Sequence, residues 1–461
     1  MRKSLLLLVL SLIALPLAAQ NTDIESLSGL QFNFGNPGAR SLGMGGAFLG
    51  LADDASAAEA NPAGLTILRK PEVSIEARNY LEQQLLTTSG TFPDVTRTAF
   101  THYSQRVDMT FASVVYPFKH FTIGAYYHEP LRNAGAGEVL PVRDPITGQL
   151  KTNIPNFYLP KGGGNGPVTK AECDALRKSA NDFFACLEYR VNPFITALDV
   201  RQQTYGIAGA FQVGKFSFGG GVRYQKFDEG AFTFRFTQDF DLDSVSVQAT
   251  AVSNGTNVTI KAQKDFTFTG GMKWAPNDKF SVGAVYKKGP TFKTPTFIAA
   301  GSTNFEFVKL ADTTFHLPDI AGVGVSIRPI PVLTINLDAV HVTYSNLTDN
   351  FVSTTYQIRD VAGYVAPDVT EIHLGGEYFF SSKVPFAIRA GVWRDPAHSI
   401  EWRGTLTQFE GVAAALLYPK GESQIHKSIG AGVAWPRFQI DAAYDTSKHY
   451  KVGSISVVTR F

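Results

Sequence analysis

Nine histidines are spread over the 461 residues, and a hydrolytic centre would need one of them set against a serine or an aspartate. His102, His120, His128, His316, His373 and His426 stand singly, with no pair at metal-ligand spacing on one segment. The chain has no zinc motif and no glycine-rich phosphate loop, and its glycines open no βαβ unit that would bind a dinucleotide, so neither an enzyme nor a cofactor is expected. A second group offers different chemistry. Arg223, Lys273, Lys287, Asp338, Glu377, Arg389, Asp441 and Asp445 fall within segments rich in apolar residues. Opposite charges placed in this way either pair with one another, or hold a segment folded among them, or present a guanidinium, Arg223 or Arg389, that grips both oxygens of a carboxylate.

The segments that must position these charges alternate with period two. In "FTFTGGMKW" one face reads Phe266, Phe268, Gly270, Met272 and Trp274, and the other Thr267, Thr269, Gly271 and Lys273. The same split recurs in "PVLTINLDAV" and "RFQIDAAYD", where Asp338 and Asp441 lie on the small, polar face. Strands are expected near 72–79, 105–116, 121–128, 199–213, 216–228, 260–274, 279–287, 319–328, 332–343, 370–380, 384–393, 425–435, 437–446 and 450–461. Their connections alternate between tight turns such as "PFKH", "VGK" and "APNDK" and long loops such as 129–198 and 229–259. Short turns at one end and long loops at the other describe an all-β, transmembrane antiparallel β-barrel of about 14 strands, with both termini in the periplasm. A soluble sandwich also alternates, and the loop asymmetry is what separates the two.

The ends of the chain agree. Residues 1–19 carry Arg2-Lys3 and then an apolar run, the layout of a secretory signal peptide. Without Arg2 and Lys3 the chain has 40 basic against 40 acidic residues, and no basic stripe calls for a nucleic-acid partner. The last strand ends on Phe461 with Gly453, Ile455, Val457 and Thr459 on the same face, resembling the signal by which the outer-membrane assembly machinery recognises its clients. A monomer in contact with outer-membrane lipid, in the outer membrane of a Gram-negative-type bacterium, is therefore expected. Cys173 and Cys186 are the only cysteines, and in an oxidising compartment they are expected to form a disulfide in the long loop 129–198. The residues between them also read as helical. Thirteen residues of unbroken helix would separate the Cα atoms by about 20 Å, against the roughly 4.4–6.8 Å of a disulfide, so a break is expected near Ser179 to Asp182.

Residues 20–70 fit neither period. "GARSLGMGGAFLGLADDASAAEANPAGL" is dominated by alanine and glycine, and its Phe48, Met44 and Leu49 need burial. Gly43, Gly45 and Gly46 suit tight turns and close approach, and Asp53 to Ser56 would cap a short helix running up to Asn61. The segment is expected to fold into the lumen as a hatch, leaving 71–461 as the barrel.

This stretch resembles the N-terminal hatch of the FadL-type outer-membrane transporters of long-chain fatty acids and other hydrophobic compounds, whose Asn-Pro-Ala element matches Asn61, Pro62 and Ala63. "LPDIAGVGVSIRPIPVLTINLDAVHVTYS" is similar to the family's Leu-Pro loop and following hairpin. The resemblance implies passive, facilitated diffusion of a fatty-acid-like hydrophobic small molecule. The ligand would be captured by the outer loops, held beside the hatch and released through a gap at a kinked third strand. In this chain that strand is "FTIGAYYHEP", where Gly124 or Pro130 is the candidate interruption. Barrel subunits that dock or shuttle protein cargo in type IX secretion share the glycine-rich start and the Asn-Pro, and they are the alternative reading. A polar porin fits less well, since it needs no hatch.

Overall fold

The computed structural model describes residues 33–87, 99–139, 141–143, 150–152, 157–189, 194–236, 242–248, 252–253, 256–257, 263–300, 308–348, 363–407, 411, 415, 420–448 and 450–461. The expected signal peptide and the first part of the expected hatch lie outside these residues. Fourteen strands form a closed antiparallel barrel: β1 Glu72–Thr87, β2 Ala99–Pro117, β3 Phe121–Val139, β4 Phe194–Val213, β5 Phe216–Phe236, β6 Gln263–Asn277, β7 Phe280–Lys287, β8 Ile320–Ile330, β9 Leu333–Val342, β10 Val369–Phe380, β11 Phe386–Asp395, β12 Gln424–Ala434, β13 Phe438–Thr446 and β14 Tyr450–Arg460. Closure is made by β1 on β14, in register from Glu72↔Arg460 to Glu82↔Tyr450. Three further strands, Leu242–Gln248, Thr291–Ala300 and Val308–His316, extend the wall at the loop end beyond β7 and β8.

The wall is apolar outside and polar inside, the inverse of a soluble protein. Along β6, Phe266 is 70% exposed and Phe268 55%, while Thr267, Thr269 and Lys273 between and beyond them are buried in the lumen. Tight turns close one end. Lys279 N, for example, donates to Asn277 Oδ1 (2.9 Å) between β6 and β7. Strands β1 to β5 run further toward the loop end than their alternation suggests. An amphipathic period marks only the part of a strand whose outer face meets lipid, so a polar extension above that band leaves no such mark.

In the long loop between β3 and β4, hairpin strands Phe157–Pro160 and Cys186–Tyr189 pack with a helix, α3, Lys170–Ala180. Its N-terminus has a reciprocal capping box between Thr169 and Glu172. The chain leaves the helix through Asn181 in the left-handed region (φ 48°), and this break lets Cys173 and Cys186 join with Cα atoms 5.4 Å apart. With the two half-cystines 13 positions apart in sequence, loss of the bond is expected to cost this loop roughly 3 kcal/mol in a chain-entropy estimate. Reductant should expose two alkylatable thiols and speed proteolysis within 161–189. Two thiols reactive before reduction would contradict the assignment.

Candidate functional site

Most of residues 37–65 are buried and pack against inward-facing residues of the wall. Helix α1 (Ala39–Gly43), helix α2 (Ala57–Ala60) and a 3₁₀ helix (Pro62–Ile67) are joined by turns, with Gly45 and Gly46 at positive φ. Met44, Phe48, Leu51, Leu65 and five alanines of 52–60 form one buried cluster with Phe111, Val115, Tyr126 and Ala208 of the wall. Small residues are needed because the backbone of this plug lies directly on the barrel. A Cβ on Gly391 would overlap Gly45 and Met44, and one on Gly271 would overlap the Asn61 side chain. Asn61, the first residue of the Asn-Pro-Ala element, is fully buried. It donates to Leu49 O (3.1 Å) and Met272 O (3.4 Å), and its Oδ1 accepts from Ala63 N (3.2 Å). Pro62 opens the 3₁₀ helix, so the motif ties two hatch segments to β6.

The eight charges singled out from sequence all lie inside; seven hold the hatch or one another, and Asp445 faces His426. Asp338 accepts from Phe48 N (2.6 Å) and Leu49 N (2.7 Å), and Lys273 donates to Leu51 O. Arg40 of the hatch pairs with Asp53 (2.5 Å) and with Glu377 (2.9 Å). Glu377 then meets Arg389 (2.6 Å), which meets Asp441 (2.9 Å). Arg223 (3.4 Å) and Lys287 (3.1 Å) converge on Glu59 of α2. Burial pushes the Glu59 carboxyl up, but Arg223 and Lys287 outweigh it and hold the group well below the usual carboxylate range. Asp53 follows the same pattern, burial being overcome chiefly by Arg40.

A small cavity lies between the hatch and the wall, bounded by Phe34, Gly45 and Gly46 on one side and by Arg78, Tyr80, Pro130, Glu371, His373, Trp393, Asp445 and Tyr450 on the other. Two of these, His373 and Trp393, belong to a feature that alternation alone does not reveal. His373, Trp393 and His426 are direct cross-strand neighbours on β10, β11 and β12, and their rings stack at 5.0 and 3.9 Å. His373 Nδ1 lies 2.7 Å from the hatch carbonyl of Gly45, and Asp445 Oδ1 lies 2.6 Å from His426 Nδ1. Toward the loop end an apolar cluster of Leu131, Val200, Phe227, Phe292, Tyr344 and neighbours packs against Phe34.

Beside the cavity the wall is irregular. The β2–β3 ladder runs from Pro117↔Thr122 to Phe111↔His128. Beyond that point β2 continues along β1 to Ala99 and β3 along β4 to Val139. The register of β3 on β4 shifts between His128 and Leu131, so the interruption falls at Glu129-Pro130. Gly124, the other candidate, pairs regularly with Val115 and Ala208 and gives room to the hatch, since its Cβ would stand 3.3 Å from Ala58. Across the seam Arg132 donates to Asp108 Oδ1 (2.7 Å).

A closed barrel with polar contents, an apolar rim and a plug tied to its wall is an outer-membrane transport barrel. Residues 190–447 match the family model described as outer membrane protein transport protein (OMPP1/FadL/TodX), and the chain belongs to that family. Its members are transporters of hydrophobic compounds and not enzymes. Among solved structures, the fold is similar to the CymD monoaromatic hydrocarbon channel (14% identity, 94% of this chain and 99% of that one, TM-score 0.55). It is also similar to the P. putida toluene transporter TodX (12%, 94% and 99%, 0.56) and to a Pseudomonas aeruginosa FadL homologue (15%, 94% and 100%, 0.54). No curated protein sequence matches the chain.

Proposed function

We propose that this barrel is a passive route for hydrophobic small molecules across the outer membrane, entering through the loop-end apolar cluster, resting in the cavity beside the hatch and leaving sideways at the β2–β3 seam. The observation that carries this reading is Pro130, which both lines the cavity and sits in the β3 irregularity at the top of the β2–β3 ladder. The periplasmic end is the one with tight turns, where Phe461 N donates to Pro71 O and brings the start and finish of the barrel together. Because the hatch packs against inward-facing residues of the wall, bulk polar diffusion is disfavoured and a side exit near the cavity is the short way out. Hydrophobic compounds are the cargo class, and the fatty acids expected from the sequence enter it through their alkyl chains. Their head group is the part that the chemistry of the cavity decides.

Deleting Pro130 tests the route. His128 and Leu131 both face the lumen, three residues apart, only because the strand carries one extra residue at this point. Removing that residue restores regular pairing without turning the remainder of β3 inside out. Uptake of a labelled hydrophobic compound by Gram-negative cells lacking their own transporter is expected to fall to the vector level, with the variant still migrating as a folded, heat-modifiable barrel. Unchanged uptake by that variant would rule out the seam as the exit.

A further inference from the structure

Building on the transport reading, we infer that the cavity beside the hatch selects uncharged hydrophobic molecules, hydrocarbons or those whose only head group is a hydroxyl, and rejects carboxylates. The two guanidiniums that would suit a fatty-acid head group are already engaged and do not line the cavity: Arg389 lies between Glu377 and Asp441, and Arg223 on Glu59. Among the described lining residues the one guanidinium is Arg78, and Glu76 occupies it at 2.7 Å while Asn36 O takes a second donor at 2.8 Å. Apart from the phenols of Tyr80 and Tyr450, the remaining ionisable side chains of the wall are two carboxylates, Glu371 and Asp445, and one imidazole, His373. Glu371 faces His373 (3.2 Å), and Asp445 faces His426 (2.6 Å).

With the carboxylates ionised, this set has no net positive charge in any protonation state of the two histidines. Protonated imidazoles bring it to neutrality, and neutral ones leave it negative. An ionised carboxylate entering here would give up water, find no free cation and face like charges. A hydroxyl can instead donate to Glu371 or Asp445, whose carboxylates accept. Phe34, Tyr80, Trp393, Tyr450 and Val452 supply the apolar surface around it.

The test uses purified full-length barrel and a matched pair of probes, 1-naphthalenemethanol and 1-naphthoate, at neutral pH. Bound labelled naphthalenemethanol is competed with each probe. Naphthoate is expected to compete at least about tenfold more weakly, and Glu371→Gln combined with Asp445→Asn should narrow that gap. Equal or tighter binding of naphthoate, a gap unchanged in the double variant, or no binding of either probe would overturn the inference. The wild-type comparison stands alone if the double variant does not fold. Uptake of naphthalenemethanol by cells, followed in parallel, separates the two readings. Uptake without charge selectivity removes only the inference, whereas selective binding without uptake removes the transport reading.

Discussion

Replacing Gly271 with valine is expected to unseat the hatch and make the barrel leaky, while the same replacement at Gly270 leaves it tight. The two residues are adjacent on β6 and face opposite ways. At Gly270 an added Cβ meets nothing within 4 Å, whereas at Gly271 it overlaps the side-chain Oδ1 of Asn61 and reaches Pro62 Cδ at 3.1 Å. Asn61 is itself tied to Leu49 and Met272, so it cannot swing aside without losing those bonds. Overpacking a filled interior costs about 1–3 kcal/mol, and here the cost falls on the plug rather than on the ladder of the barrel. Both variants should assemble as heat-modifiable barrels, and only Gly271→Val should admit a bulky hydrophilic antibiotic normally excluded by the outer membrane. Exclusion by both variants would show that the hatch does not depend on this contact.

The second large effect is expected from Glu59→Ala. Glu59 is buried on α2, and Arg223, Lys287 and His128 approach it from β5, β7 and β3. Removing it leaves two buried cations without their counter-charge, a change that costs about 3–5 kcal/mol. The loss should appear as faster hydrogen exchange and easier proteolysis across residues 55–68, with the barrel still folded. Glu59→Gln keeps the shape and a hydrogen-bonding group and should be milder. The pH dependence has a definite sign. A carboxyl held below its unfolded value contributes stability above that value and loses it only as pH falls through the depressed one. Hatch protection should therefore survive acidification through about 4.3, the ordinary glutamate value, and fail only at more acid pH. Loss of protection near that ordinary value would contradict the pairing.

Much of this architecture was legible in the sequence because a membrane barrel writes itself as period-two alternation. Phe266 and Phe268 against Thr267 and Thr269 declare two faces without any knowledge of their neighbours. The inward direction of Arg223, Lys273, Asp338, Glu377, Arg389 and Asp441 follows from the same alternation. Their partners do not, because each pairing joins segments far apart in the chain. Arg40 meets Glu377 only after the hatch has folded against the wall, and Asn61 bonds the backbone of Leu49 and of Met272 on β6. The His373–Trp393–His426 stack was hidden for a related reason. Three strands must be in register before these rings become neighbours, and no local pattern marks that register. The break before Cys186 was accessible, since helix rise and disulfide span are incompatible distances. The interruption at Pro130 rather than Gly124 reflects backbone chemistry: proline cannot donate to a ladder, whereas glycine in a strand can equally serve close packing.

The most direct test of the whole account is uptake by Gram-negative cells that lack their own transporter of this type, comparing expression of the folded chain with empty vector. A labelled uncharged hydrophobic compound should enter faster in the expressing cells, and a labelled hydrophilic sugar of similar size should not. Faster entry of the sugar, or no gain for any of a panel of hydrophobic compounds, would contradict the proposed route.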